Sequence, residues 1–251
     1  MYRLVCLALV LSVLAVVPSL GAEPAGVLIL YDNTVARAGL QPEWGFAAQV
    51  NFRGHNILFD SGTKPAVLGA NMKALGVNPA AFELGVFSHP HQDHLGGLPS
   101  VTYLDAFPAD VFATAVSLGA KPFRIAESRQ LSPGVFTTGL VKGEPSEQAL
   151  VIDTPKGLVV LTGCSHPGVV RMVEGARKLK PSAPVHLVAG GFHMLRDSES
   201  QVNASIAKLR ELGVQSILPT HCTGDLATKL FREAFGERCL TGGVGVRIPL
   251  D

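Results

Sequence analysis

A chain of 251 residues, 47% of them hydrophobic and 16% charged, can bury a large core but is short for two full domains, so one folded domain is expected. Lys and Arg number 21 against 20 Asp and Glu, giving a net charge of +1, and no basic stripe interleaved with aromatics occurs. This balance argues against a nucleic-acid partner.

The first residues differ from all that follow. Arg3 supplies one positive charge, the run from Leu4 to Val17 is apolar apart from Ser12, and Pro18 ends it before the small residues Ser19-Leu20-Gly21-Ala22. This is the pattern of a secretory signal peptide, assigned to residues 1–22, with the mature domain at 23–251. The apolar run is shorter than the roughly 20 residues of a membrane span. Removal is therefore expected rather than stable membrane insertion, and the mature protein is expected to be exported, periplasmic or secreted. Cys6 leaves with the signal. Cys164, Cys222 and Cys239 remain as an odd set without CxxC spacing, which does not indicate a disulfide framework. Cys164 and Cys222 each lie within two residues of a histidine and are candidate metal or active-site thiols, whereas Cys239 reads as a small buried apolar residue.

In chain order, Val27 to Tyr31, Phe46 to Phe52 and Ile57 to Phe59 read as strands of an antiparallel meander with a turn at Arg53-Gly54-His55-Asn56. The third ends at Asp60-Ser61-Gly62, and a short helix is expected over Asn71 to Leu75, closed by Gly76. Gly85 to Ser88 reads as a buried strand, and Leu95-Gly96-Gly97-Leu98 as a glycine-rich turn into a helix. From Pro99 to Gly143 only brief strands are expected, such as Asp110 to Ala113. A hairpin follows, Ala149 to Ile152 and Gly157 to Thr162 about Thr154-Pro155-Lys156. Strands and helices then alternate: a helix carrying Val169, Val173 and Ala176, a strand at Val185 to Ala189, a helix carrying Val202, Ile206 and Leu209, a strand end at Ile217-Leu218, a helix carrying Leu226, Leu230 and Phe231, and a closing strand at Val244 to Ile248. The pattern is that of a mixed α/β protein.

Between the strand at Gly85 and the glycine turn stands His89-Pro90-His91-Gln92-Asp93-His94, three imidazoles and a carboxylate in six residues. In extended backbone alternate side chains share a face, so His89 and His91 can address one ion; Asp93 and His94 follow at the bend, beside a place for a second. Imidazole and carboxylate suit zinc first, with manganese or iron as alternatives. Later strand ends repeat the signal, in Gly163-Cys164-Ser165-His166, in Gly190-Gly191-Phe192-His193 and in Pro219-Thr220-His221-Cys222. Loops at strand ends gather on one side of a sheet, so these residues can converge. His55, in a hairpin turn, and His186, inside a strand, are assigned to structure. No histidine lies between His94 and His166, so a third imidazole for the first ion comes from His166 or later.

On these residues the chain resembles the metallo-β-lactamase superfamily, whose HxHxDH signature stands here as His89 to His94. The runs Ser88 to Leu98, Thr162 to Gly168, Gly190 to His193 and Pro219 to Gly224 are most similar to the dihydropterin-ribofuranosylaminobenzene-phosphate synthase-like branch. The resemblance implies an α/β (α+β) fold, an αββα four-layer sandwich of two mixed β-sheets flanked by helices. It implies one ion on His89, His91 and His166 and another on Asp93, His94 and His221. The superfamily often bridges its two ions with an aspartate; here Leu161-Thr162-Gly163 is followed by Cys164, so either a thiolate bridges or the bridge is absent.

The expected activity is that of an exported zinc-dependent hydrolase acting on a small molecule, an ester, lactone, amide or phosphoester. Asp93 serves at the metal site, Asp60 orients a ligand histidine, and His193 protonates a leaving group or binds an anion. Two other readings stand beside it: a transferase of the synthase type, against which export argues because its substrates are cytoplasmic, and a non-catalytic metal-binding protein.

Overall fold

The computed structural model describes residues 24–97, 114–117, 123–124 and 126–251. The signal-peptide assignment and the strand expected at Asp110 to Ala113 lie outside the described residues. Described strands are β1 (Gly26–Tyr31), β2 (Ala47–Phe52), β3 (His55–Phe59), β4 (Leu84–Phe87), β5 (Thr114–Ser117), β6 (Phe123–Arg124), β7 (Arg129–Ser132), β8 (Val135–Thr137), β9 (Leu150–Thr154), β10 (Gly157–Thr162), β11 (Val185–Gly191), β12 (Ser216–Thr220) and β13 (Arg247–Pro249). The α-helices are α1 (Pro65–Leu75), α2 (Gln92–Leu95), α3 (Val169–Leu179), α4 (Glu199–Glu211) and α5 (Asp225–Phe235). One sheet runs β13-β1-β2-β3-β4-β5-β6 and the other β12-β11-β10-β9-β8-β7.

Alternation along the strands builds the layers. Val27 and Ile29 of β1, Val50 of β2 and Phe59 of β3 face Ile152 of β9, Val159 and Leu161 of β10 and Leu187 of β11, forming the core between the sheets. The intervening residues Leu28, Leu30 and Leu58 face outward onto Leu68 and Met72 of α1. On the other side Leu158, Val160 and Val188 pack on Val173 of α3, Ile206 of α4 and Phe231 of α5. A side-chain period of two, with both faces covered, makes the four-layer αββα sandwich.

Strand polarity then decides where function can sit. β3 pairs in parallel with β4, and β10, β11 and β12 are mutually parallel, while β2 and β9 run antiparallel to their neighbours. The C-terminal ends of β1, β3, β4, β10, β11 and β12, and the segments leading into β2 and β9, therefore all open on one edge of the sandwich.

Three elements differ from the sequence expectation. Helix α1 begins at Pro65, six residues before the expected start, because proline at the first helical position needs no amide partner and only Leu68, Asn71 and Met72 of this helix are buried, too few for a clear period. Helix α2 starts at Gln92, inside the metal motif rather than after it. The closing strand is displaced from Val244–Ile248 to β13, since Gly243 (φ 126°) and Gly245 (φ 92°) turn the chain and Val244 makes only an isolated bridge to Val35.

Candidate metal centre

The motif arrives on β4, and its residues leave the strand in two directions. Ser88 and His89 are fully buried at the strand end, His91 is exposed, and the single turn of α2 turns His94 back inside. His94 then lies under His89, ring centroids 4.2 Å apart.

Hydrogen bonds on the outer nitrogens fix which way each ring presents its lone pair. Asp60, at the end of β3 and wholly buried, accepts the Ser88 amide on Oδ1 (2.7 Å) and the Ser88 hydroxyl on Oδ2 (2.7 Å). With its proton given to Asp60, the Ser88 oxygen accepts from His89 Nδ1 at 2.9 Å, which leaves His89 Nε2 bare. His94 Nδ1 donates to the same Asp60 Oδ2 at 2.7 Å and leaves its own Nε2 bare. His221 Nδ1 lies 3.1 Å from Asn33 Oδ1, while Asn33 Nδ2 donates to the His221 carbonyl at 2.8 Å. Its Nε2 is again the free atom. This is the arrangement that orients metal-ligating imidazoles.

The bare nitrogens converge. His91 Nδ1 lies 3.2 Å from His89 Nε2 and 3.1 Å from His166 Nε2. His94 Nε2 is 3.1 Å from Cys164 Sγ and 3.8 Å from Asp93 Oδ2. His221 Nε2 is buried with no hydrogen-bond partner, although Asp93 Oδ2 is only 3.2 Å away. Two acceptors held this close and out of hydrogen-bond alignment, one of them orphaned, fit a cation between them. The donor atoms of Asp93, His94, Cys164 and His221 all lie within 4.8 Å of one another, as do those of His89, Cys164 and His166. Cys164 is common to both sets, at the position where the superfamily's bridging aspartate is expected.

The loops carrying the later ligands are shaped by two buried carboxylates that the sequence reading did not single out. Glu147, wholly buried before β9, accepts the amides of Gly163 (3.0 Å), Cys164 (3.0 Å) and Ser165 (2.9 Å) on Oε1 and that of His166 (2.9 Å) on Oε2. Burial pushes its carboxyl up to about 7, and the amides of Ser165 and His166 work against that rise. Asp32, after β1, accepts the His221 amide on Oδ1 at 3.0 Å and the Thr220 hydroxyl on Oδ2. Asp32 follows a strand end as Asp60 does, so the same rule finds it; Glu147 carries no local signal. Trp44 was also missed, and its Nε1 donates to Asp93 Oδ2 at 2.8 Å.

Backbone strain gathers here as well. Asp60 (φ 55°), Ser165 (63°), His193 (53°) and His221 (51°) all lie in the left-handed region, which costs a side-chain-bearing residue roughly 1 kcal/mol or more. Gly163 has a different role: a Cβ there would fall 2.0 Å from Ser88 Oγ and 2.9 Å from Asp60 Oδ2. Only glycine lets the β10 loop lie against the pair that holds His89 and His94.

The electrostatics favour neutral imidazole at His89, His91 and His166. Burial holds His89 well below the ordinary histidine range, with His94 and His166 adding to it, and holds His91 down too. His166 falls to about 3 through burial and the neighbouring His193 and His91. His94 is raised, because Asp60 outweighs burial. Burial opposes the charge on Asp93, but the nearby His221 ring, 3.2 Å away, and the His94 ring outweigh it and hold its carboxyl below the usual range. Cys164 and Cys222, both buried, lie against each other, with Cys222 Sγ 3.7 Å from the Cys164 carbonyl, and their mutual influence raises the first thiol and lowers the second, helped by His193.

His193 stands at the rim, exposed, its ring 4.2 Å from that of His166, and its hydrogen bond to Cys222 raises it against burial. The ligand atoms of Cys164, His193 and Cys222 form a third close set. Every sequence-selected residue is thus gathered at one edge. His55 pairs with Glu83 at 2.9 Å and His186 meets Gln215 at 3.1 Å, away from that edge.

Comparison with known proteins agrees with this geometry. A curated relative from Methanocaldococcus jannaschii, 7,8-dihydropterin-6-methyl-4-(beta-D-ribofuranosyl)-aminobenzene-5'-phosphate synthase, is 30% identical over 235 residues, covering 72% of this chain and 80% of its own length. The chain belongs to the metallo-β-lactamase superfamily, in the branch of this synthase. An uncharacterized protein of the same organism, MJ0448, is 27% identical over 248 residues, covering 81% of this chain and 93% of that protein. Among solved structures, Tm1679, described as a metal-dependent hydrolase of the β-lactamase superfamily, superposes with a TM-score of 0.73 at 25% identity, covering 90% of this chain and 99% of that one. Bacillus subtilis YhfI shares the fold, with a TM-score of 0.58 at 15% identity, covering 90% and 99% of the two chains. No protein-family model matches the chain.

Proposed function

We propose that this member of the superfamily is a metal-dependent hydrolase, with zinc the favoured ion and manganese or iron as alternatives, acting on an ester, lactone, amide or phosphoester of a small molecule. The observation that carries the reading is the convergence of bare imidazole nitrogens on two adjoining sets that share Cys164, with the buried His221 Nε2 unpartnered. One ion would be held by His89, His91 and His166 and a second by Asp93, His94 and His221, with Cys164 between them. Bound there, such ions acidify water to a pKa of about 7 and polarise a carbonyl or phosphoryl oxygen.

The residues around the ligands do the rest. Asp60, through Ser88 and directly, keeps the protons of His89 and His94 on Nδ1 and their Nε2 atoms inward. Trp44 fixes one Asp93 oxygen, so this carboxylate is held in place as well as kept charged. His193, exposed at the rim and raised by Cys222, is placed to give a proton to a leaving group. Cys164, common to both ligand sets, would serve as a ligand in its deprotonated form, as a coordinating thiol does.

A transferase of the synthase type is the second reading, favoured by the curated relative at 30% identity. Export, proposed from the Leu4 to Val17 run alone, favours the hydrolase. No described helix is long and apolar enough to cross a membrane. Turnover of generic ester, lactone and phosphodiester substrates, with and without chelator, tests the proposal. Chelator-sensitive hydrolysis of at least one class is expected, together with stoichiometric metal in the purified protein and its loss in His89→Ala. Absent or chelator-insensitive turnover on all three classes overturns the hydrolase.

A further inference from the structure

Beside the metal centre, on the His221 side, lies a cleft of about 320 Å³ whose walls include both His221 and Trp44. This volume falls in the range of small-molecule pockets. Among its mostly polar walls stand exposed large apolar side chains. Five large hydrophobic side chains are prominently exposed among the described residues, and three of them, Trp44 (45%), Leu195 (56%) and Leu240 (38%), line this cleft. The other two, Val35 and Leu226, directly follow the lining residues Thr34 and Asp225 in sequence. Exposed apolar surface concentrated at one concave place marks a binding site rather than the scattered background of a soluble surface.

One wall of the cleft is α5, which starts just after His221 and Gly224 and leads away from the metal centre. Its residues Asp225, Thr228 and Arg232 line the cleft, at the three- and four-residue spacing that shares a helix face, while Ala227, Leu230 and Phe231 face the core. Arg232 stands seven helical steps beyond Asp225, roughly 10 Å at 1.5 Å per residue. Among the described residues Arg232 makes no ion pair or side-chain hydrogen bond, so its five donors are available at the far end. Asp225 sits at the near end, which disfavours a second anionic group there.

We propose that this cleft is the substrate subsite, and that it takes an elongated amphipathic anion: an apolar or aromatic body against Trp44, Leu195 and Leu240, and a terminal carboxylate or phosphate on Arg232. The inference rests on the hydrolase reading for the placement of the scissile bond at the His221 end, but not for the binding itself. It names the substrate class for a site whose ligands alone set none.

The test is direct binding by calorimetry of three probes sharing one body: 4-phenylbutanoate, 4-phenylbutyl phosphate and uncharged 4-phenylbutan-1-ol. Each is titrated into the metal-loaded protein, the chelator-treated protein and R232Q. One or both anions are expected to bind about tenfold more tightly than the alcohol, the value of one hydrogen-bonded charge pair, and the tighter anion identifies the natural terminus. R232Q is expected to erase that margin, R232K to restore part of it, and L240D to weaken all three probes. The margin is expected to survive chelation. Binding that persists while no ester, lactone or phosphodiester is hydrolysed would remove the hydrolase and leave the subsite standing. No binding by any probe, equal binding of anion and alcohol, an anion margin unchanged in R232Q, or a margin abolished by chelation alone would overturn the subsite.

Discussion

The two halves of the site hold their ligands by different means. In the N-terminal half four ligands fall within six consecutive residues, and what needs control is the ring: Asp60 binds the Ser88 hydroxyl and His94 Nδ1 and so sets which nitrogen His89 and His94 present. In the C-terminal half the ligands come from separate loops, and what needs control is the backbone. Glu147 gathers four successive amides beneath Cys164 and His166, and Asp32 takes the amide of His221. One carboxylate tunes chemistry, and the other two build the place where the chemistry stands. A ring can be turned by one hydrogen bond, but a loop with Ser165 and His221 at positive φ needs its amides satisfied before it keeps that shape.

The comparison breaks most readily at Glu147. Glu147→Ala leaves four buried amides without an acceptor, and a loss of about 4 kcal/mol is expected, with a melting temperature lower by roughly 10 °C for a chain of this size. Thermal and urea unfolding check it. A variant that keeps its stability and loses only metal would show that Glu147 acts on the ions and not on the loop. Asp60→Asn separates the halves from the other side. Metal affinity is expected to fall 10- to 100-fold, in the range of about 1.4 to 2.7 kcal/mol, while the melting temperature of the metal-free protein changes far less than in Glu147→Ala. Competition with a chromophoric chelator measures the affinity. A collapse of the metal-free fold would make Asp60 a structural carboxylate like the other two. The smallest effect belongs to Trp44→Phe, which keeps the ring and deletes the Nε1 donor to Asp93. About 1 kcal/mol is expected, read as a severalfold rise in the dissociation constant of the ion assigned to Asp93, His94 and His221. Equal loss at both ions would mean that Trp44 does not act through Asp93.

The metal motif was legible in sequence because its ligands are neighbours in the chain and the histidine spacing is itself a coordination pattern. His166, His193 and His221 were legible for another reason: each follows a strand end, and strand ends on one edge converge. The mixed α/β class was legible in the apolar runs of β1, β9 and β10, whereas the layered sandwich was implied by the resemblance; these runs are apolar throughout because both faces of each strand are covered. The strands and helices of the second half, with their clear periods, were likewise visible. Helix α1 was cut short because few of its residues are buried, and β13 was misplaced because two glycines bend the chain where the apolar pattern continues.

What the sequence by itself determined is therefore the kind of atoms at the site and the mixed α/β class beneath it, since both follow from residue type and short-range spacing. Tertiary structure alone decided which carboxylate serves which loop, which nitrogen each histidine turns inward, that Cys164 belongs to both ligand sets, and that α5 lays Arg232 along a cleft beginning at His221. The three carboxylates reach their partners across 16 to 189 residues of chain. Such contacts are set by the order and polarity of strands across two sheets, which no local pattern of side chains encodes.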